Sequence, residues 1–175
     1  MDAEAVIVDA VRTPVGKGKP GGALSGLHPV DLLSQTLRAL VERTGIDPAA
    51  VDDVIVGCVS QVGEQSATPG RMAWLAAGFP PEVPATTIDR QCGSSQQAVH
   101  FAAQGIRSGD YDIVIAGGVE SISRVPMGSA RLDADPFGDG VNRRYAPGLV
   151  SQGVAAELVA ARWRLGRREQ DEFAA

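Results

Sequence analysis

The chain has 175 residues, a formal net charge of −5 and no basic block, so it is sized for one ordinary domain or slightly more and shows no signature of nucleic-acid binding. Apolar residues make up 44% of it but aromatic residues only 5%, which predicts a core of small and aliphatic side chains. Two cysteines without a Cys-x-x-Cys motif predict neither a disulfide framework nor a metal site. Without a signal-peptide pattern or an apolar run of about 18 residues, a cytoplasmic protein that does not span a membrane is expected.

Strand and helix patterns alternate along the chain. Continuous apolar runs predict buried strands at residues 5–11 and 54–59, and further strands are predicted at residues 86–88, a short β-prone run, and 112–116. Helical spacing and end signals predict helices after Pro29, after Thr68 and after Cys92, at residues 154–165, and from Arg167 onward. This order is typical of an α/β protein whose mostly parallel sheet is flanked by helices.

Three other stretches have no predicted part in that sheet. The glycine-rich residues 16–26 do not match a phosphate-binding P-loop and are interpreted as a flexible surface loop, and His28 is interpreted as a helix-terminus residue. Residues 121–153 are broken by Gly and Pro and lack periodicity, which suggests an excursion that serves a site or an oligomer contact. The last helical pattern has no stop signal, so we expect the sequence to be a fragment.

Cys92 is the candidate nucleophile. It follows a β-prone run that ends at Asp89 and opens a Gly-Ser-Gln segment that continues as a helix at residues 99–107. Backbone N–H groups and the positive dipole end at a helix N-terminus favour thiolate over thiol, although a small buried cysteine is the alternative at this level. Cys92, Gly117-Gly118 and Arg12-Thr13 all follow predicted strand ends, where the chemistry of parallel α/β sheets gathers, and this favours the nucleophile.

The chain offers Cys92 no convincing base. A thiolate nucleophile normally works with a base and an oxyanion hole, of which the Cys92 N–H supplies one donor. His100 lies on the same predicted helix, about 12 Å along its axis at ~1.5 Å per residue, and His28 lies outside the motif. We therefore expect a second chain or a missing second half to supply the base.

Six ordered motifs resemble the N-terminal part of thiolases, the acetyl-CoA acetyltransferase / 3-ketoacyl-CoA thiolase family. They lie at residues 6–14, 45–48 with 54–57, 71–73, 91–95, 117–123, and 152–157 with 168–174. The segment Cys-Gly-Ser-Ser-Gln-Gln from Cys92 is most similar to thiolases of sterol side-chain degradation. The resemblance implies a thiolase-like N-terminal α/β domain in residues 1–120 and the beginning of a CoA-covering loop domain in residues 121–175.

The resemblance also implies roles for individual residues. Cys92 would take the acyl group from a thioester, while its N–H helps to hold the oxyanion. Support of the nucleophile loop is implied for Asp89, Gly93 and Ser94. A position near the pantetheine and acyl pocket is implied for Leu149, Ser151 and Gln152. The implied reaction is thiolytic cleavage of a 3-ketoacyl-CoA or condensation of acetyl-CoA, with CoA and acyl-CoA as substrates and no permanently bound cofactor.

The chain departs from the family pattern in two ways. Asp89 stands where many members have Asn, and Gln152 and Ala155 stand where Met and Thr are usual, which leaves the acyl-chain specificity open. The family's second-half motifs (an Asn-Glu-Ala-Phe type, Gly-His-Pro and Cys-x-Gly-Gly-Gly) do not occur in the sequence. We therefore expect the isolated chain to be inactive and, with its nucleophile-helix face uncovered, poorly soluble.

The expected partners are a C-terminal thiolase half, from the same gene or a second chain, and further copies in a homodimer or tetramer. Two alternatives remain. A decarboxylating or HMG-CoA-synthase-like condensing enzyme also places Cys at a helix start, but the Arg12-Thr13-Pro14 opening favours a thiolase. A truncated, catalytically inactive thiolase-like module would bind acyl-CoA or a partner chain without turnover.

Overall fold

The structure, a computed structural model, describes residues 4–175 and divides into two compact units, one ending at Leu132 and the other comprising Asp133–Ala175. The first unit contains a three-stranded parallel sheet in the order β2-β1-β3. Its strands are β1 (Asp53–Gly57), β2 (Ala85–Ile88) and β3 (Val114–Gly118). Its helices are α1 (Pro29–Thr44), α2 (Pro69–Ala76) and α3 (Ser94–Ser108). The predicted α/β class, with a parallel sheet flanked by helices, is confirmed.

The two faces of the sheet are covered unequally. One face packs against α1 and α2 in a core that includes Leu33, Leu37, Trp74, Val54 and Ile115. The other face packs against α3 through a smaller cluster of Ile55, Ala98 and Ala102. The small side chains of Ala98 and Ala102 let the α3 backbone lie close to the sheet.

End signals in the sequence define α1 as predicted. Pro29 is its first residue, and the His28 Nδ1 accepts the Val30 N–H at 3.3 Å. Gly45 ends the helix in a left-handed conformation (φ 65°), and its N–H donates to the Val41 carbonyl. The interpretation of His28 as a helix-terminus residue is confirmed.

The prediction of a buried strand at residues 5–11 is wrong. The segment has no strand assignment, and Val6, Ile7 and Val8 are all exposed, Ile7 by 81%. An apolar run becomes a strand only when a neighbouring strand accepts its backbone hydrogen bonds, and none of the three strands in the described part of the chain pairs with it. Its anchor at the end of α1 is an ion pair, in which Arg43 Nη2 donates to Asp9 Oδ1 at 2.9 Å.

The 121–153 stretch is more regular than the sequence predicted. It contains a 3₁₀ turn (Ser129–Arg131) in the first unit and α4 (Gly138–Arg144) in the second. The two glycines of α4 are tolerated because the Asp135 carboxylate accepts the Phe137 and Gly138 N–H groups at 2.9 and 3.3 Å, satisfying donors at the helix start.

The remainder of the second unit consists of α5 (Gln152–Trp163) and α6 (Arg167–Ala174), close to the predicted helices. Ion pairs between residues four apart support α6, from Arg167 to Asp171 and from Arg168 to Glu172. Within residues 4–175, no helix combines the length and apolarity that a membrane crossing requires. The same residues contain no cluster of side chains able to hold a metal ion.

One buried hydroxyl predicts a stabilising substitution. Thr87 Oγ1 on β2 is buried without a hydrogen-bond partner among the described residues. Thr87→Val keeps the shape and strand preference while removing that unpaired group, so we expect the free energy of unfolding to rise by about 1 kcal/mol. Thermal unfolding of the chain measures this, with Thr86→Val, at the exposed neighbouring position, as a control that should change little. A lower melting temperature for Thr87→Val than for the parent chain would contradict the assignment.

Candidate active site

The candidate nucleophile lies in a short loop between β2 and α3. Asp89 directly follows β2, and its Oδ1 accepts the Gln91 N–H at 2.6 Å. Gln91 has a left-handed backbone (φ 48°), which is uncommon for a residue with a side chain. The Gly93 N–H then donates to the Arg90 carbonyl at 3.1 Å. These bonds turn the chain sharply, so that Cys92 is exposed just before the start of α3.

Ser94 stabilises this turn through hydrogen bonds of its side chain and backbone. It is buried, and its hydroxyl donates to the Gln91 carbonyl at 2.6 Å and accepts the Arg90 N–H at 2.9 Å. Its own N–H donates to the same Gln91 carbonyl at 3.0 Å. Because these bonds join residues just before and just after Cys92, the side chains of Asp89 and Ser94 together fix the backbone that carries the thiol.

Two glycines at the carboxyl edge of the sheet let α3 begin this close to the strands. Gly57 ends β1 and pairs in register with Gly118, the last residue of β3. A methyl group on Gly57 would lie 2.4 Å from the Ser95 N, and one on Gly118 would lie 2.7 Å from the Ser95 Cβ. Only glycine accommodates that approach. We call this pair the glycine seat of α3.

The two cysteines differ in burial. Cys92 is exposed, so the alternative of a small buried cysteine does not describe it. Cys58 is buried beyond the end of β1 rather than within the predicted strand. Burial, together with the charge and hydrogen bonding of Glu120 and the charge of Asp89, raises the pKa of Cys58 to about 12. Cys58 therefore remains a protonated thiol near neutral pH, whereas Cys92 is open to reagents.

Neither histidine is placed as a base for Cys92. His28 caps α1, and its Nε2 lies 3.9 Å from Glu64 Oε2. His100 is exposed further along α3. The carboxylate of Glu64 is engaged by Arg124, whose hydrogen bonding lowers the pKa of Glu64. That a second chain or a missing second half supplies the base for Cys92 stays a prediction.

The predicted substrate-binding residues lie in the second unit. Leu149 and Ser151 are exposed, Ser151 is the N-cap of α5, and Gln152 is the first residue of that helix. Their contact with pantetheine or an acyl chain remains a prediction. In the first unit, sequence reasoning gave no role to Gln65 or Glu120, which bond to the loop after β1. Glu120 lies within the Gly117–Ser123 motif, and that motif could have indicated a role for it. The residues around Gln65 contain no pattern that indicates a role for Gln65.

Fold and site together define a class of protein. It is an α/β protein with an exposed cysteine at the start of a helix, held over the carboxyl edge of a parallel sheet. Such a helix start supplies backbone N–H groups and a positive dipole end, an arrangement suited to a thiolate nucleophile and to a developing oxyanion.

Comparison with known proteins identifies the family. Residues 5–175 match the family model described as "Thiolase, N-terminal domain". The steroid 3-ketoacyl-CoA thiolase FadA6 of Mycobacterium tuberculosis is 50% identical over 97% of this chain, which covers 43% of that protein. A beta-ketoadipyl-CoA thiolase of Escherichia coli is 43% identical over 98% of this chain and is covered over 46% of its length. The chain belongs to the thiolase N-terminal domain family.

A solved structure agrees with this assignment. The crystal structure of the Bacillus anthracis acetyl-CoA acetyltransferase matches 98% of this chain with a TM-score of 0.78 and 37% sequence identity. The match covers 45% of that protein. The chain thus spans less than half the length of the relatives it matches, so the activity of a whole thiolase is a proposal for it.

Proposed function

We propose that this chain is the nucleophile-bearing part of an acyl-CoA thiolase and that Cys92 carries the acyl group. The observation that carries the proposal is the exposed Cys92 at the head of α3, above the glycine seat. Membership of the thiolase family supports the same assignment. Since the most similar curated relatives include a steroid 3-ketoacyl-CoA thiolase, a 3-ketoacyl-CoA is the proposed substrate class.

In the proposed reaction, the Cys92 thiolate attacks the ketone carbon of a 3-ketoacyl-CoA. The bond between that carbon and the α-carbon breaks, and its electron pair leaves with the acetyl-CoA fragment, which takes up a proton. The shortened acyl group is then bound to Cys92 as a thioester, and attack by the CoA thiolate releases it as acyl-CoA. The Cys92 N–H and neighbouring helix-start amides would stabilise the oxyanion formed at each attack. Run in reverse with two acetyl-CoA molecules, the same steps give condensation.

The positioning of the thiol is assigned to three neighbours. Asp89 and Ser94 hold Gln91 in its left-handed turn through the bonds described above. Gly93 completes the turn through its N–H bond to the Arg90 carbonyl. Leu149, Ser151 and Gln152 are proposed to contact the substrate in the complete protein. No permanently bound cofactor is proposed, and CoA and acyl-CoA are substrates.

The proton-transfer groups are proposed to come from a C-terminal half. We expect the 175-residue chain alone to give no measurable thiolysis, because a missing general acid or base costs about 10²- to 10⁴-fold each. Co-expression with the C-terminal half of a related thiolase, followed by an assay of 3-ketoacyl-CoA cleavage, should restore turnover. The matched control is the same pair carrying Cys92→Ser. Substantial cleavage by the purified chain alone would contradict this division of labour.

The second candidate is a catalytically inactive module that binds acyl-CoA or a partner chain. It is favoured by the positions of His28 and His100, neither of which is placed as a base for Cys92, if no second half accompanies the chain. Intact-mass measurement after incubation with acetyl-CoA separates the two. Acyl label on Cys92 in the presence of the second half supports the enzyme, whereas binding of acyl-CoA without label supports the module.

A further inference from the structure

Glu120 joins the ends of two strands. It follows β3 by two residues, and its carboxylate reaches back to the loop after β1. Glu120 Oε2 accepts the Val59 N–H at 2.7 Å and Oε1 accepts the Ser60 N–H at 3.2 Å. These donors lie just beyond Gly57, as Glu120 lies just beyond Gly118. The carboxylate therefore links the segments that follow β1 and β3, immediately next to the glycine seat.

Gln65 holds Glu120 in place from a fully buried position. Its Nε2 donates to Glu120 Oε1 at 2.9 Å and to the Ser60 carbonyl at 3.0 Å. Its Oε1 accepts the Ser121 N–H at 2.6 Å. Both ends of this amide thus bridge the loop after β1 and the loop after β3. A buried amide is costly unless its groups are bonded, so these contacts act as one connected unit.

The bonds of Gln65 and Glu120 lie next to the segment that carries the thiol. The glycine seat contacts the backbone and Cβ of Ser94 and Ser95 at the start of α3, directly after Cys92. A change in the spacing of the two strand ends therefore shifts the first turn of α3 relative to the sheet. Such a shift changes how the helix-start amides face the sulfur, which governs the balance of thiolate and thiol.

We propose that Gln65 and Glu120 are positioning residues for Cys92, acting through the glycine seat. This role rests on the proposed function of Cys92 as the nucleophile. Neither residue touches the substrate or the sulfur in this role. They hold the two strand ends at the spacing that the start of α3 requires.

Alkylation of Cys92 by iodoacetamide as a function of pH tests the role. In Gln65→Met, which keeps the size and the charge but removes the bridging bonds, we expect the midpoint of the pH–rate profile to rise by about one pH unit. The rate near neutral pH should then fall about tenfold, because the thiolate fraction falls. Mass spectrometry of peptides assigns the modification to Cys92 rather than the buried Cys58.

Glu120→Gln is a second test, in which the direction of the shift in the pH–rate midpoint separates two explanations. Through-space loss of a negative charge alone would lower the midpoint, because negative charge disfavours a thiolate. Loss of positioning should raise it, as in Gln65→Met. A rise in both variants supports the proposal, and a fall in Glu120→Gln overturns it. Since Glu120 is exposed, this variant decides the question if Gln65→Met does not fold.

Trp74→Phe is the control for general destabilisation. It removes the Trp74 Nε1 bond to the Pro80 carbonyl at 2.8 Å, on the face of the sheet covered by α1 and α2. It should lower the melting temperature without moving the Cys92 profile. An unchanged midpoint in folded Gln65→Met, or an equal shift in Trp74→Phe, overturns the positioning role. Failure of the parent chain to react at Cys92 instead contradicts the nucleophile itself, and with it this role.

Discussion

Replacing Cys92 with serine is expected to abolish transfer of an acetyl group from acetyl-CoA to the protein when the C-terminal half is present. A serine hydroxyl is almost entirely protonated at neutral pH, whereas a cysteine thiol ionises more readily and is intrinsically more nucleophilic. The loss should be about 10³-fold or more in the rate of acylation. Intact-mass measurement of the covalent acyl adduct after rapid quenching checks it.

Cys58→Ser is the matched control for that experiment. Cys58 is the chain's other cysteine, and its raised pKa, about 12, keeps it a protonated thiol near neutral pH. Serine at this position retains a group that can donate to Glu120, so the acyl label should persist on Cys92. Acyl label located on Cys58 in the unsubstituted protein would refute the assignment of the nucleophile.

Gly57→Ala should destabilise the fold strongly. The new methyl group would lie 2.4 Å from the Ser95 N and 2.5 Å from the Ser94 carbonyl carbon, and neither backbone atom can rotate away. Either α3 is displaced or β1 bends, at a cost of about 3 kcal/mol. Thermal unfolding measures the stability, and iodoacetamide labelling of Cys92 in the folded fraction measures displacement of the thiol.

Gly117→Ala is the control for this substitution. Gly117 lies in the same sheet, one residue before Gly118, yet a methyl group there would meet nothing within 4 Å. Strand preference favours alanine over glycine slightly, so the melting temperature should hold or rise. Equal destabilisation by Gly57→Ala and Gly117→Ala would show that close approach of α3 is not the reason for glycine at position 57.

Much of the fold was predictable because the relevant signals are local. Pro29 and Gly45 bracket α1, and apolar or β-prone runs indicate the three paired strands. The unpaired segment at residues 5–11 shows where local signals fail. Its composition is that of a buried strand, but strand formation requires a hydrogen-bonding neighbour, and the described chain supplies none beside it.

The site was predictable only around its cysteine. The order of a β-prone run, Cys92 and a helix of small residues is visible in the sequence, and it places the thiol at a helix start. The connection from Gln65 to Glu120 was not predictable, because it joins side chains more than fifty residues apart whose loops meet only when β1 and β3 pair. The residues next to a buried glutamine in a 3₁₀ turn do not indicate which groups its side chain will bond.

The sequence by itself determined the class of fold, the helix start at Cys92 and the family, because helix ends, apolar runs and motif order are properties of neighbouring residues. The tertiary structure decided three further matters. It left Cys92 exposed and Cys58 buried beside Glu120, and so set which thiol is available. It left residues 5–11 unpaired. It also made Gly57 and Gly118 the glycine seat of α3. Parallel pairing of β1 and β3 brings these two strand ends to one edge of the sheet, and because neither residue has a side chain, the start of α3 can lie against them.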